Sequence, residues 1–205
     1  MSTQKIIILI ILFLLLVRLF INNIKFKHQV NQGEEDVNKL LSKLKDTILL
    51  NDIMIKSGNG TSQIDHILIS KKGVFVIETK DYNGEIYGEE YSKYWVQVIN
   101  KNKNKFYSPI RQNYGHIKAL EECLKMKYIF ISIIIFTNKS KLKKVKTKTP
   151  VIQLNQLKIF LKNHKSNINL SKNEMEYIYK LIKKSNIQSN RRRKKHIKII
   201  SKKIS

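Results

Sequence analysis

Tyr128 to Phe136 limits the fold more than any other stretch of this chain: it is apolar apart from Ser132 and dominated by isoleucine. A β-branched run without alternation is the signature of a strand buried on both faces, so an α/β protein is expected. The flanking patterns agree. Between Gln32 and Asp46, Val37, Leu40, Leu41 and Leu44 form one apolar stripe at helical spacing. Ser62–Ser70 and Gly73–Lys80 read as strands, Asn83-Gly84 as a turn, and Glu85–Tyr87 and Trp95–Ile99 as shorter strands. Ser108-Pro109 marks a helix start, with Ser108 as N-cap and Pro109 at the first helical position, and the helix should run to about Lys125. Beyond the buried strand, Lys139–Lys148 reads as a charged loop, Val151-Ile152 as a last strand and Gln156–Asn163 as a helix. Ser171-Lys172-Asn173-Glu174 is a capping box that opens a helix to about Lys184. The order is helix, three or four strands, helix, strand.

Two segments lie outside that core. From Ile6 to Val17 every residue is apolar, and after Arg18 the run resumes with Leu19-Phe20-Ile21. A spanning helix usually takes about 20 residues, so this one is short but feasible if Lys5 and Arg18 snorkel outward. A cleaved signal peptide fits less well, because no small-x-small site follows. A core helix apolar on all sides fits poorly in so small a domain. Lys25, Lys27 and the later positive charge place the body of the protein on the cytoplasmic side of the cell membrane. The formal net charge of +25 is uneven: residues 1–138 hold 19 Lys/Arg against 13 Asp/Glu, and residues 139–205 hold 21 against 2. Such polarity suits a polyanion, either nucleic acid or an anionic membrane face. The single cysteine, Cys123, excludes an intramolecular disulfide and a cysteine zinc site. The expected organisation is an anchor at 1–24, a core at 30–138, a basic extension of the core at 139–184 and a basic, loosely ordered tail at 185–205.

The strands on either side of Lys71-Lys72 carry the chemistry. If Ser70 pairs with Gly73, Asp65 lies opposite Glu78 and Gln63 opposite Lys80. Directly opposed residues share a face, with Cβ atoms roughly 4.5–5.5 Å apart, and Glu78 and Lys80 share that face too. Two carboxylates, an ammonium and an amide then converge above the core-like Ile67, Ile69, Val74 and Val76. A bulge at Gly73 would slip the register by one and separate the acids. Two carboxylates so close repel unless a cation lies between them, and oxygen ligands suit Mg²⁺ or Mn²⁺. With Lys80 beside them, such a pair suits phosphodiester hydrolysis: the metal generates hydroxide while Lys80 orients water or neutralises developing charge. The other reading of these residues is a cross-strand ion pair on a solvated sheet edge. On the first helix Glu34 lies about 60° from Val37 and Glu35 about 160° away, so Glu34 is the acid turned inward. Gln112 and His116, four apart on their helix, share a face from which either could reach a substrate phosphate.

These residues resemble a known family. Gly33-Glu34 before a helix, Gln63-Ile64-Asp65-His66, Gly73 through Lys80, Tyr82-Asn83-Gly84, the Trp95 strand and Ser108-Pro109-Ile110-Arg111-Gln112 are similar to the nuclease-related domain (NERD). That family belongs to the PD-(D/E)xK, restriction-endonuclease-like superfamily, and the resemblance covers about Val30 to Phe136. It implies a three-layer core, a mixed central sheet flanked by helices, here preceded by one transmembrane helix. It also implies Asp65 and Glu78 as metal ligands, Lys80 as catalytic lysine, Glu34 as accessory acid and Gln112 as a further site residue. The family commonly shows Asn-Pro where this chain has Ser108-Pro109, a departure outside the metal site.

The expectation is therefore a membrane-anchored, Mg²⁺- or Mn²⁺-dependent DNA nuclease. Nucleic acid would be held by Gln63, His116 and the run Arg191, Arg192, Arg193, Lys194 and Lys195, with strongly salt-dependent binding. Two alternatives stand beside it: an anchored nucleic-acid-binding module with little or no turnover, and a basic tail that clamps anionic lipid.

Overall fold

In the computed structural model, which describes residues 12–18, 32–126 and 130–188, Phe130–Phe136 of the apolar run lies inside a five-stranded sheet. Helix α1 (32–41) leads into β1 (Ile48–Ser57), β2 (Gly60–Ser70) and β3 (Gly73–Lys80). Strands β4 (Gly84–Glu89), β5 (Tyr94–Ile99) and β6 (Asn102–Tyr107) follow, then α2 (Pro109–Leu124) and β7 (Phe130–Phe136). The chain continues through β8 (Ser140–Lys146), β9 (Val151–Gln153), α3 (Leu157–Asn163) and α4 (Lys172–Ser185). Sheet A has the order β1-β2-β3-β7-β9, antiparallel through β3 and parallel beyond it. Sheet B has the order β6-β5-β4-β8, with β8 parallel to β4.

Alternation along the strands sends apolar side chains to both faces of sheet A. One face packs Ile67, Ile69, Val74 and Val76 against Ala119, Leu120 and Leu124 of α2 and Met175, Ile178 and Ile182 of α4. The other packs Leu68, Phe75, Ile77, Ile133 and Ile135 against Val37 and Leu41 of α1 and Leu157 and Leu161 of α3. This mixed α/β arrangement, with helices on both sides, fits a restriction-endonuclease-like core. Sheet B packs Ile86 and Trp95 against Phe136 and Ile110, and the Trp95 indole stacks on Phe136 with an interplanar angle of 5°.

Three strands were not expected. The charged loop at Lys139–Lys148 is instead mostly β8: Leu142 and Val145 turn inward while its lysines face solvent along a sheet edge, where charge blocks further pairing. β6 carries only Asn and Lys before Phe106, yet it closes on β5 through the two-residue turn Asn100-Lys101, both at positive φ. That turn ordinarily shows glycine second, so its signal was weak. β1 was obscured by the polar Asn51-Asp52 in its middle. The helix expected to reach Asp46 ends at residue 41, and tightened bonds from Lys43 to Leu40 and from Leu44 to Leu41 keep Leu44 on the core.

Directly past α4, residues 186 and 187 are bonded to β1. The Asn186 side chain accepts the Met54 N–H at 3.0 Å and the Ile187 N–H donates to the Met54 carbonyl at 2.7 Å, satisfying the free edge of β1. Residues 12–18 of the expected anchor are helical, and among the described residues no helix is long and apolar enough to cross a membrane. The rest of 1–24, and the basic run at 191–195, lie outside the described residues.

Gly88 lets Trp95 lie against β4: a Cβ there would meet the indole at 2.1 Å. Gly88→Ala should lower unfolding free energy by about 1–3 kcal/mol through overpacking. Gly115→Ala, on a position in α2 with nothing within 4 Å, should raise it by about 0.5–1 kcal/mol. Urea unfolding of both variants checks the pair of signs.

Candidate active site

Side chains on β1 and β2 do not alternate evenly along their whole length. Ile64 packs into the same cluster as Ile67 and Ile69, and Ile53 and Ile55 join the cluster that holds Leu50. The alternation therefore reverses once on each strand, across Asp65-His66 and across Asn51-Asp52. The two reversals oppose one another: pairing runs from Asn51↔His66 to Ile53↔Ile64 without a change of register, and Asp52 takes a φ of 51°. The β2–β3 ladder has the expected register from Ser70↔Gly73 to His66↔Ile77, and there it stops. At the next position the Asp65 carboxylate accepts the Thr79 N–H at 2.8 Å. A side chain has taken the place of a main-chain rung, and it fixes the acid where the sheet opens.

Glu78, only 2% exposed, lies at the centre of this opening. Lys80 Nζ donates to its Oε1 at 2.7 Å and to Gln112 Oε1 at 3.0 Å. His116 Nε2 lies 3.1 Å from Glu78 Oε2, and Nδ1 lies 2.6 Å from Ser62 Oγ. A carboxylate can only accept, so Nε2 carries the hydrogen toward Glu78, and Nδ1 meets the Ser62 hydroxyl. Burial alone would raise the pKa of Glu78, but Lys80 and His116 together hold it below the usual value. Burial would likewise lower the pKa of Lys80, yet Glu78 holds the ammonium above its ordinary value. Asp65 is the reverse case. Burial first, then Glu78 and Glu34, push its pKa well up against the opposing Thr79 N–H and Lys80. Glu34 is raised by burial and then by Glu78 and Asp52.

Close packing at the start of α1 brings Glu34 here. A Cβ on Gly33 would meet the Asp81 Cβ at 2.7 Å, so glycine permits the approach. Glu35 faces solvent and pairs with Lys39 at 3.1 Å. The structure thus brings together Glu34, Asp65, Glu78, Lys80 and Gln112. Gln63 is turned elsewhere: beyond the reversal on β2 it no longer shares the face of Glu78, and its Nε2 donates to Asp52 Oδ1 at 2.7 Å. His116, expected to contact substrate, is 8% exposed with both ring nitrogens engaged. Reading the sequence missed Asp52, Ser62 and Asn113. The buried Asn113 amide donates to the Val76 carbonyl and to Ser132 Oγ, both at 2.8 Å, and so ties α2 to sheet A. A polar residue one position after Gln112 on a helix face was its only signal. Among the described residues no group of three or more His, Cys, Asp or Glu side chains is set closely enough to hold a metal ion by itself.

The sequence model of the nuclease-related domain matches residues 29–137. This chain belongs to the NERD family. A protein of Bacillus anthracis, described as uncharacterized, is similar to it at 35% identity over 204 residues, covering 95% of this chain and 96% of that protein. The NERD match runs from before α1 to Thr137 and takes in every acid of the site, Lys80 and His116. It leaves out β9 and α4, although β9 completes sheet A and α4 covers the β1–β2 face.

A carboxyl whose folded pKa is raised stabilises the fold least where it must ionise. Stability is fully present below its unfolded value near 3.8 and is lost as pH rises through the folded value. Asp65→Asn in this NERD protein, melted in EDTA, should therefore be more stable than the parent, by a margin that widens from pH 4 upward. A variant less stable at every pH would refute the repulsion assigned to Asp65.

Proposed function

We propose that this NERD protein is a divalent-metal-dependent nuclease that hydrolyses DNA phosphodiester bonds at the inner face of the cell membrane. The observation that carries the proposal is the placing of a buried, ionised Glu78 beside Lys80 and beside a second acid, Asp65, that resists ionisation. At both Asp65 and Glu34, burial and the neighbouring acids outweigh the Lys80 ammonium, as the upward shift of each pKa records. Their donors are all oxygen, which fits Mg²⁺ or Mn²⁺ held by Asp65 and Glu78. Such an ion supplies polarisation of the phosphate and a water acidic enough to attack at neutral pH.

The protein's own groups have distinct tasks. Glu78 keeps Lys80 charged, so Lys80 acts as a fixed cation that orients water and offsets charge growing on the phosphate. Gln112 accepts from Lys80 through Oε1, which leaves its amide hydrogens for a phosphate oxygen. Glu34 holds a proton more readily than an ordinary carboxyl and suits proton transfer to the leaving oxygen.

Residues 6–21 anchor the chain by a single pass, supported by the unbroken apolar run from Ile6 to Val17 and the Arg18, Lys25 and Lys27 that follow. The soluble domain is cytoplasmic. Arg191, Arg192, Arg193, Lys194 and Lys195 grip the phosphate backbone or anionic headgroups. A binding module without turnover is the second reading, favoured by acids that are not closed on a common point.

Full-length protein in a nonionic detergent, incubated with linear and circular DNA in Mg²⁺, Mn²⁺ or EDTA, tests the first reading. Divalent-dependent cleavage should fall by at least about a hundredfold in Glu78→Ala and in Lys80→Ala. DNA bound equally by all three proteins, with no cleavage by any, would leave the binding module.

A further inference from the structure

The outer face of sheet B sets exposed rings and lysines side by side across neighbouring strands. Its inner face is apolar, with Ile86, Trp95 and Phe106 turned to the core. Alternation sends the intervening residues outward, and their pairing is Tyr94↔Tyr107, Val96↔Lys105 and Val98↔Lys103. Tyr94 and Tyr107 are 52% and 46% exposed, with ring centroids 6.3 Å apart and planes at 80°. Lys93 Nζ lies 5.4 Å from the Tyr94 centroid. Across the sheet, β8 adds exposed Lys141, Lys143, Lys144 and Lys146. Of the two acids on the face, Glu85 accepts the Tyr87 hydroxyl at 2.6 Å and lies 3.5 Å from Lys143, and Glu89 is paired in register with Lys146.

We propose that this face is a platform for a single nucleic-acid strand, which it delivers unpaired to the site at the end of β3. The proposal rests on the nuclease reading and names its substrate class. Rigid exposed rings among lysines suit unpaired bases, which offer their faces for stacking while their phosphates meet ammonium groups. Bases within a duplex are already stacked on one another and have no free face to give. The platform is also continuous with the site. β3 runs into β4 through residues 81–83, and Tyr107 ends β6 directly before Ser108, the cap of α2. Gln112, which touches Lys80, is five residues past Tyr107, about 10 Å along the chain.

Fluorescence anisotropy in EDTA tests this with the full-length chain in nonionic detergent, a labelled oligothymidylate and a labelled duplex. EDTA stops cleavage, so binding is read whether or not the site turns over, and a dead site with an intact platform refutes the nuclease reading alone. The single strand should bind more tightly than the duplex. Tyr94→Ala/Tyr107→Ala should weaken single-strand binding by roughly tenfold or more and leave duplex binding unchanged. Lys103→Glu/Lys105→Glu should weaken it too and flatten its salt dependence. Unchanged oligothymidylate affinity in the tyrosine variant would overturn the proposal. So would a lysine variant that loses only its preference for phosphatidylglycerol-containing over phosphatidylcholine vesicles, since the face would then be a membrane contact.

Discussion

A carboxylate buried at the middle of a sheet must be met by partners, and Glu78 is such a group. Leaving a buried charge unpaired costs several kcal/mol, so the elements that supply its partners are constrained together. Lys80 is available because residues two apart on a strand share a face. His116 is available only if α2 lies across that face at the right height. Asn113 sets the height by bonding to the Val76 carbonyl and Ser132 Oγ, and the Ser108 cap and Pro109 set where the helix begins. Ser62 then orients the imidazole from β2. One buried charge thus ties β2, β3, β7 and α2 into a single arrangement.

At Asp65 and Glu34 the relief is incomplete: Lys80 and, for Asp65, the Thr79 N–H do not offset burial and the neighbouring acids. Their positions follow from backbone features rather than from attraction: the paired reversal at Asp52 and Asp65, the ladder that ends at His66, and the close approach that Gly33 allows. A fold does not gather acids in this way to stabilise itself, since each raises the cost of ionising the others. Such concentration of unfavourable charge belongs to sites that bind something of opposite sign. The same acids that weaken the free protein are therefore the best argument for what it does.

Much of this was legible in the residues. The register around Lys71-Lys72, the inward turn of Glu34, the Ser108-Pro109 start and the doubly buried strand each followed from short-range periodicity or turn chemistry. What escaped has a common cause. The reversal of faces at Asp65 depends on a left-handed Asp52 on another strand, and nothing near Asp65 reports it. It moved Gln63 off the face of Glu78, although the pairing around the hairpin itself was right. His116 looked like a surface histidine because helical spacing shows which residues share a face but not what lies opposite. The lysine-rich β8 looked like a loop because charge on an edge strand resembles charge in a coil.

The distribution of charge links these features. The chain carries +25 overall, yet Glu34, Asp52, Asp65 and Glu78 lie near enough to raise one another's cost of ionising. A polyanion is drawn toward the molecule by the lysines but meets repulsion in the last few ångströms, and in physiological salt fields beyond about 8 Å are largely screened. Attraction must therefore be continuous up to the rim of the site, and a distant basic tail alone does not provide that. Lys139, just before β8, pairs with Asp81 next to the end of β3 at 2.7 Å, and Lys80 with Gln112 stands in the site itself. A strand held on sheet B as proposed would then meet Lys139 and Lys80 before it meets the acids alone.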